Sequence, residues 1–323
     1  MDDFTRTPYF PAQGVFAPMH RLILGVFLAL FAITPVAADR VAYIDLARRG
    51  WNYELRTTML GRDLSIPVHI NGRDLAGASL CIVGERPHPN SLEIINAFRD
   101  LAAHVFGKPL TMRYAGQDAD GCGSGRTVIL RLYSGHPPNQ ALSADLRWMN
   151  SVYQLGLPAQ GYYAATSPAM AQTFFGRRGQ GTHIMVKQPG LKHLGVLERS
   201  FYTSILVEEL FQSFTFGMDI LLFDRSAVFQ SKLQETPLNL QRLSWESRDF
   251  MRALLKSNPG GLCAFDVFMM HAVAEAPVDQ TIEPGFIDYI DSAYDTLLAQ
   301  AAETMGDARF AAIVAPGCQR API

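Results

Sequence analysis

Between Leu194 and Asp219 the chain reads LGVLERSFYTSILVEELFQSFTFGMD, and apolar residues dominate it in a helical rhythm. Leu194, Leu197, Phe201 and Ile205 recur at three- and four-residue steps, and Leu206, Leu210 and Phe214 add a second stripe further round. Only Glu198, Tyr202, Glu209 and Ser213 remain for a narrow polar sector, so the pattern predicts a helix buried inside the molecule. At about 100° per residue, Glu208 and Gln212 fall one turn apart, within the arc that holds Leu197, Phe201 and Ile205. Both need partners there, because an unpaired buried polar group costs about 1–3 kcal/mol and a lone carboxylate more.

Earlier in the chain the period changes. Residues 39 to about 60 pattern as an amphipathic helix, and Ile66–Ile70 and Ser79–Glu85 as strands. Asn90 with Glu93 makes a capping box ahead of Leu92, Ile95, Phe98, Leu101 and Val105, which predicts a helix to Phe106. Leu110–Ala115 and Thr127–Tyr133 follow as strands. Residues 135–181 form the least regular stretch, an insertion with a helix from Ala144 to Leu155 and then aromatics around Arg177 and Arg178. Such a loop can line a groove, though packing of Tyr162, Tyr163, Phe174 and Phe175 onto the domain is the simpler expectation. Thr182–Lys187 patterns as a strand directly before the buried helix.

Beyond Asp219, Ile220–Phe223 and Ser226–Phe229 pattern as a loop or short strand. Ser244 caps a helix from Trp245 to about Ser257, ended by Pro259-Gly260-Gly261. Leu262–Val273 is a second, very apolar helix, whose Met269-Met270 pair belongs to the core. Pro284 starts a third, with Phe286, Ile290, Ala293, Leu297 and Ala301 on one stripe.

The first 38 residues pattern as processing signals instead of fold. Met19-His20-Arg21 is a short basic segment, Leu22–Ile33 an apolar run, and Val36-Ala37-Ala38 places small residues before a cut at Asp39. The run is too short to span a bilayer, which takes about 20 residues. The expectation is a cleaved secretory signal, with Met19 as initiator and a single domain over residues 39–323. Within it, 39–190 is the half that carries the sheet and 191–323 the helical half.

Composition narrows the possibilities. The formal net charge is −2, and removing residues 1–38 deletes Asp2, Asp3, Arg6 and Arg21, which leaves it unchanged. Neither nucleic acid nor an anionic membrane surface is an expected partner. Cys81, Cys122, Cys263 and Cys318 all lie after the cut, where an even number in an oxidising compartment favours disulfides. Proximity favours Cys81 with Cys122 and Cys263 with Cys318, and the spacings are too irregular for a zinc knuckle. The glycine-rich run Gly121–Thr127 lacks the lysine of a phosphate loop and precedes a strand, so a turn is expected. No G-x-S-x-G elbow is present.

The chemistry concentrates at residues 208–219. Glu208-Glu209-Leu210-Phe211-Gln212 has the shape of H-E-x-x-H, in which two metal ligands sit one turn apart and the glutamate between them activates water. Here Glu208 and Gln212 occupy the two histidine positions, and Glu209 alone keeps its type. Asp219 lies seven residues on, where a chain leaving the helix can return a third ligand. The stretch resembles the secreted proteobacterial proteins grouped as the domain of unknown function numbered 2927. That family's pattern is E-E-x-x-Q-x-x-G-x-x-x-D, then an S-x-F-type segment, then an aspartate-led L-R-A-L-like helix and a glycine turn. This chain supplies Glu208, Glu209, Gln212 and Asp219, then Ser226–Phe229, then Asp249 with Met251-Arg252-Ala253-Leu254, then Gly260-Gly261, with Thr215 at the family's glycine. The resemblance covers about half the chain and is best from residue 195 to 265. It implies an α+β, zincin-like fold: a small mixed sheet on a central buried helix, a helical C-terminal half, and eroded metal ligands.

In zincins the strand before the helix is the sheet edge and holds substrate as an added strand, which gives Thr182–Lys187 that role. His183 can face the site from it, although a satisfied or surface histidine is the simpler expectation, as for His193 and His271. Zinc prefers histidine nitrogen and cysteine sulfur, whereas Glu208, Gln212 and Asp219 offer oxygen, which suits calcium, manganese or magnesium. The simplest expectation is a metal-free buried network in which Gln212 donates to Glu208 or Asp219. The functional expectation is an exported, periplasmic or secreted pseudo-metallopeptidase that needs no cofactor and binds a peptide or envelope partner. Alternatives are a hydrolase dependent on a divalent metal, with Glu209 as general base, and a structural envelope component with a closed groove.

Overall fold

The computed structural model describes residues 34–53, 65–66, 68–190, 194–223, 229–237, 240, 242–315 and 318, with side chains from Arg40 onward. Of the expected N-terminal extension and signal, 1–38, residues 1–33 lie outside them, as do residues 54–60 of the first helix, most of Ser226–Phe229, and His193. Two compact units are distinguished, residues 1–41 and 42–323. Helix α1, Thr34–Trp51, spans the boundary, and everything below concerns the second unit.

A five-stranded sheet organises that unit. Its strands are β1 Ser79–Gly84, β2 Thr111–Tyr114, β3 Thr127–Tyr133, β4 Ala169–Gly176 and β5 Gly179–Lys187, in the order β2-β1-β3-β5-β4. β1, β2, β3 and β5 are parallel, and β4 turns back antiparallel along β5. Every residue of β3 is buried, as a parallel strand covered on both faces requires. Alternation then sorts the side chains by face. Leu80, Ile82, Val128, Leu130, Ile184 and Val186 join the larger core, while Cys81, Val83, Ile129, Tyr133 and Met185 join a smaller one.

Helix α3, Asn139–Tyr153, covers the smaller core. The larger one takes α2, Pro89–Phe106, and α4, Val196–Thr215, with α4 lying against β4 and β5. Beyond them pack α5 Arg248–Ser257, α6 Ala264–Glu275, α7 Pro284–Ser292 and α8 Tyr294–Gly306. The fold is a mixed α/β one with a mostly parallel sheet. No helix among the described residues is long and apolar enough to cross a membrane. Disulfides join Cys81 to Cys122 and Cys263 to Cys318. Such bonds persist in oxidising compartments.

Several boundaries differ from the sequence pattern, each for a local reason. The described residues of the expected strand, 66 and 68–70, form none; Asn71 instead caps a short 3-10 turn, Gly72–Leu75, by accepting from Arg73 N–H. The capping box at Asn90 and Glu93 does not form, because α2 starts two residues earlier, at Pro89, where the missing N–H costs nothing. Ser247, not Ser244, caps α5, its hydroxyl accepting from Phe250 N–H. The stripe from Phe286 to Ala301 is split at Ala293 into α7 and α8. The main departure is at 135–181: the expected helix is there as α3, starting at Asn139, but the stretch also holds the edge strand β4, so Thr182–Lys187 belongs to β5, an interior strand. Gly176 lets the β4–β5 hairpin reach the end of α3, since a Cβ there would sit 2.0 Å from Tyr153 O.

Candidate functional site

Helix α4 is buried nearly all round, including Tyr202, Glu209 and Ser213 of the expected polar sector. Sheet, edge strand and helical layer enclose it. Its exit builds the site. Phe216 adopts the left-handed conformation at φ 58° and donates its N–H to Gln212 O at 2.8 Å. Trp51 Nε1 donates to Thr215 O and Tyr53 Oη to Phe216 O, which hold that turn. Gly217 follows because a Cβ would meet Trp51 and Leu233 at 2.8 Å. The tight exit thus forms without glycine at Thr215.

The turn returns Asp219 beside the helix, where Gln212 Nε2 donates to its Oδ1. Two short strands, β6 Ile220–Leu221 and β7 Gln234–Glu235, then pair in parallel. Leu222 N–H reaches Glu235 O at 2.7 Å. That pairing brings in a residue with no signature in the sequence, Glu235. Carboxylate oxygens of Glu208, Asp219 and Glu235 lie within 4.8 Å of one another. Of the expected set, Glu208 and Asp219 come together, Glu235 makes the third, and half-buried Gln212 holds Asp219.

These groups line a cavity of about 430 Å³ whose far wall is Ser167–Ala171, the start of β4. Glu209 lines it too, and its carboxylate accepts the N–H of Ala171. Below Glu208 lies Lys232, fully buried, whose Nζ donates to Ser204 O, Ser204 Oγ, Asn258 Oδ1 and Pro259 O. Ser204 stands one turn before Glu208, and Asn258 also bonds Glu208. Asp266 completes this base by accepting from Ser231 Oγ, Lys232 N and Cys263 N. Lys232 was not expected from the sequence either, since a lone lysine in SKLQE patterns as surface.

His183 does not face the site. It lies on the opposite side of the sheet, Nε2 2.9 Å from Asp145 Oδ2. His271 is a core residue bonded to Thr304 Oγ1. Phe174 packs on α3, and Phe175 lines a groove at the sheet edge.

The electrostatics are one-sided. Burial pushes the Glu208 carboxyl up, against the pull of Lys232, and Asp219 and Glu235 push it further. Burial and then the charge of Glu208 raise Glu209 well above the carboxylate range. Asp219 stands at the cavity mouth, yet the protein crowding it removes enough water to raise its pKa, against the hydrogen bond from Gln212. Burial and the charge of Asp219 bring Glu235 to about 7. The folded state therefore holds protons that the unfolded chain releases above pH 4.5. Because the folded chain binds more protons over that interval, the stability these four groups contribute is full below about pH 4.5 and is lost as pH rises through 7. Urea midpoints without divalent ions should drop from pH 5 to pH 8 by the equivalent of about 2–4 kcal/mol. A flat profile would mean that the carboxylates ionise freely.

No family model, curated protein or solved structure matches this chain.

Proposed function

We propose that this chain is an exported, zincin-like protein of the 2927 family, and that its cleft binds an extended peptide without cleaving it. The observation that carries this reading is the free edge of β4 facing α4. Lys187 N–H donates to Pro168 O at 2.7 Å, and the antiparallel pairing continues in that register. Alternation then directs the N–H and C=O of Ala169, Ala171, Thr173 and Phe175 away from β5. Glu209 takes the N–H of Ala171 and Ser167 Oγ donates to Ala169 O, while among the described residues the N–H groups of Ala169, Thr173 and Phe175 meet no partner and can pair with an incoming strand.

Two features argue for binding over cleavage. The helix presents Glu208 and Gln212 where a zinc peptidase has histidines, so the donor set is all oxygen and does not fit catalytic zinc. Burial and the charge of Glu208 raise the Glu209 pKa and so favour its protonated form, which is no base. Selection from a displayed library of decapeptides should enrich binders. Methylating alternate backbone nitrogens of those binders should weaken them at least tenfold, and the peptides should be recovered intact. Absence of any binder, or indifference to methylation, would overturn strand addition.

A second reading has one observation behind it. The clustered oxygens of Glu208, Asp219 and Glu235 suit a hard divalent cation, with Gln212 steadying Asp219. Such an ion would lower the proton affinity of nearby carboxyls. Cleavage of the selected peptides that needs added calcium or manganese and is lost in Glu209→Gln would favour this hydrolase over the binding protein.

A further inference from the structure

The edge of β4 is bordered by three adjoining cavities, not one. The carboxylate cavity at its start shares Ala171, Gln212 and Asp219 with a middle cavity of about 260 Å³. The middle cavity shares Phe175 with a third, of about 310 Å³, at the hairpin end. The middle one holds a polar group awaiting a partner: Ser213, 3% exposed, has a buried Oγ that finds no hydrogen bond among the described residues.

The two ends differ in charge. At the Ala169–Ala171 end stand Glu208, Glu209, Asp219 and Glu235, against the single cation Lys232 beneath them. At the Gly176–Gln180 end stand Arg126, Arg178 and His69, with Asp74 the one carboxylate among the lining residues. His69 sits between Asp74 at 2.8 Å and Asp279 at 3.1 Å, and Arg126 lies 3.7 Å from Asp74, so Arg178 carries the positive charge of this end. Arg178 makes no ion pair with a described residue, and its backbone is fixed by the bond from its N–H to Tyr153 O. The groove is thus negative where β4 begins and positive where it ends.

We infer that the partner is an extended segment with an acidic residue followed about six positions later by a lysine or arginine, laid antiparallel on β4. The inference rests on the strand-addition reading. Antiparallel pairing is the more stable kind and sets the direction. The incoming N-terminal half lies by the hairpin and its C-terminal half by the carboxylates. At roughly 3.4 Å per residue, six positions span about 20 Å, the length of β4 between Ala169 and Phe175. An even separation puts both charges on one face of the added strand.

Two labelled decapeptides of one composition test this. Both are rich in threonine and valine; one carries Glu at position 3 and Lys at position 9, the other the reverse. Fluorescence anisotropy at low salt should give the first at least a tenfold lower Kd, and Arg178→Glu, an exposed substitution, should shrink that ratio at least threefold. Tighter binding of the reversed peptide would overturn the polarity. Equal binding of both, lost on backbone methylation, would overturn the polarity and leave strand addition standing. Failure of both to bind would overturn the two together.

Discussion

Replacing Lys232 by methionine should destabilise the protein by about 3–5 kcal/mol, although the substitution removes no volume and adds no clash. The Nζ is enclosed by oxygens from three places: Ser204 on α4, and Asn258 and Pro259 just past α5. Its own backbone N–H is bound by Asp266 of α6. One residue therefore ties three helices together beneath the carboxylates, its side chain joining α4 to the end of α5 and its backbone N–H joining α6. Methionine takes the ammonium away from Asn258 Oδ1 and Pro259 O, and the single hydroxyl proton of Ser204, which lies within reach of both, can serve only one of them; a buried oxygen left without a donor costs about 1–3 kcal/mol. Methionine also strips Glu208 of the one cation that favours its ionised form. A second signature separates this from simple packing loss. Burial lowers the ammonium's pKa below 10.5, against the pull of Glu208 and Asp266. Between the folded and unfolded values the unfolded chain binds the extra proton, so this group adds stability as pH rises toward 10.5, and the variant should lack that contribution. Urea unfolding at pH 7 and pH 9.5 reads both effects. A loss below about 1 kcal/mol at pH 7 would mean that the oxygens find other donors.

What the sequence revealed of this arrangement follows from how local each signal is. The buried helix was legible because its apolar period repeats over five turns, and its bounds shift by only a few residues. Glu208, Glu209 and Gln212 were legible for the same reason, since helical spacing alone decides which residues share an edge. Asp219 needed a turn whose geometry depends on Trp51 and Tyr53, far away in the chain, yet the motif's spacing anticipated it. Glu235 and Lys232 had no such signal. They enter through a pairing of two two-residue strands, too short to leave an alternating pattern. The edge strand was missed for a different reason. β4 is half-buried along most of its length and interrupted by no apolar run, while its neighbour THIMVK reads as a strand by itself, so the role of edge went to the wrong member of the hairpin.

The back of the sheet should prove as sensitive as the front, although it lies away from the proposed peptide groove. Asp145 on α3 is buried between Arg131 of β3 and His183 of β5. It accepts from Arg131 Nε at 2.5 Å and Nη2 at 2.7 Å, and from Ala119 N at 3.2 Å, with His183 Nε2 at 2.9 Å. Burial alone would raise its pKa, but the bonds from His183 and Arg131 outweigh it and hold the carboxyl below the usual range. Asp145→Leu should cost about 3–5 kcal/mol, because it leaves a guanidinium buried without its counter-charge. Asp145→Leu combined with Arg131→Met should recover much of that loss, since an apolar replacement of the whole pair removes the stranded charge as well. A depressed carboxyl adds stability above its unfolded pKa and loses it as pH falls through the folded value, so the wild type should show an acid transition that the leucine variant lacks. The effect reaches the cleft through α3, whose last carbonyls, at Tyr153 and Gln154, accept the N–H groups of Arg178 and Arg177 and so fix the hairpin from which β4 is hung. Loosening α3 should therefore weaken peptide binding in proportion to the lost stability. If Asp145→Leu unfolded within 1 kcal/mol of wild type, or bound peptide unchanged while strongly destabilised, the edge strand would owe its position to β5 alone.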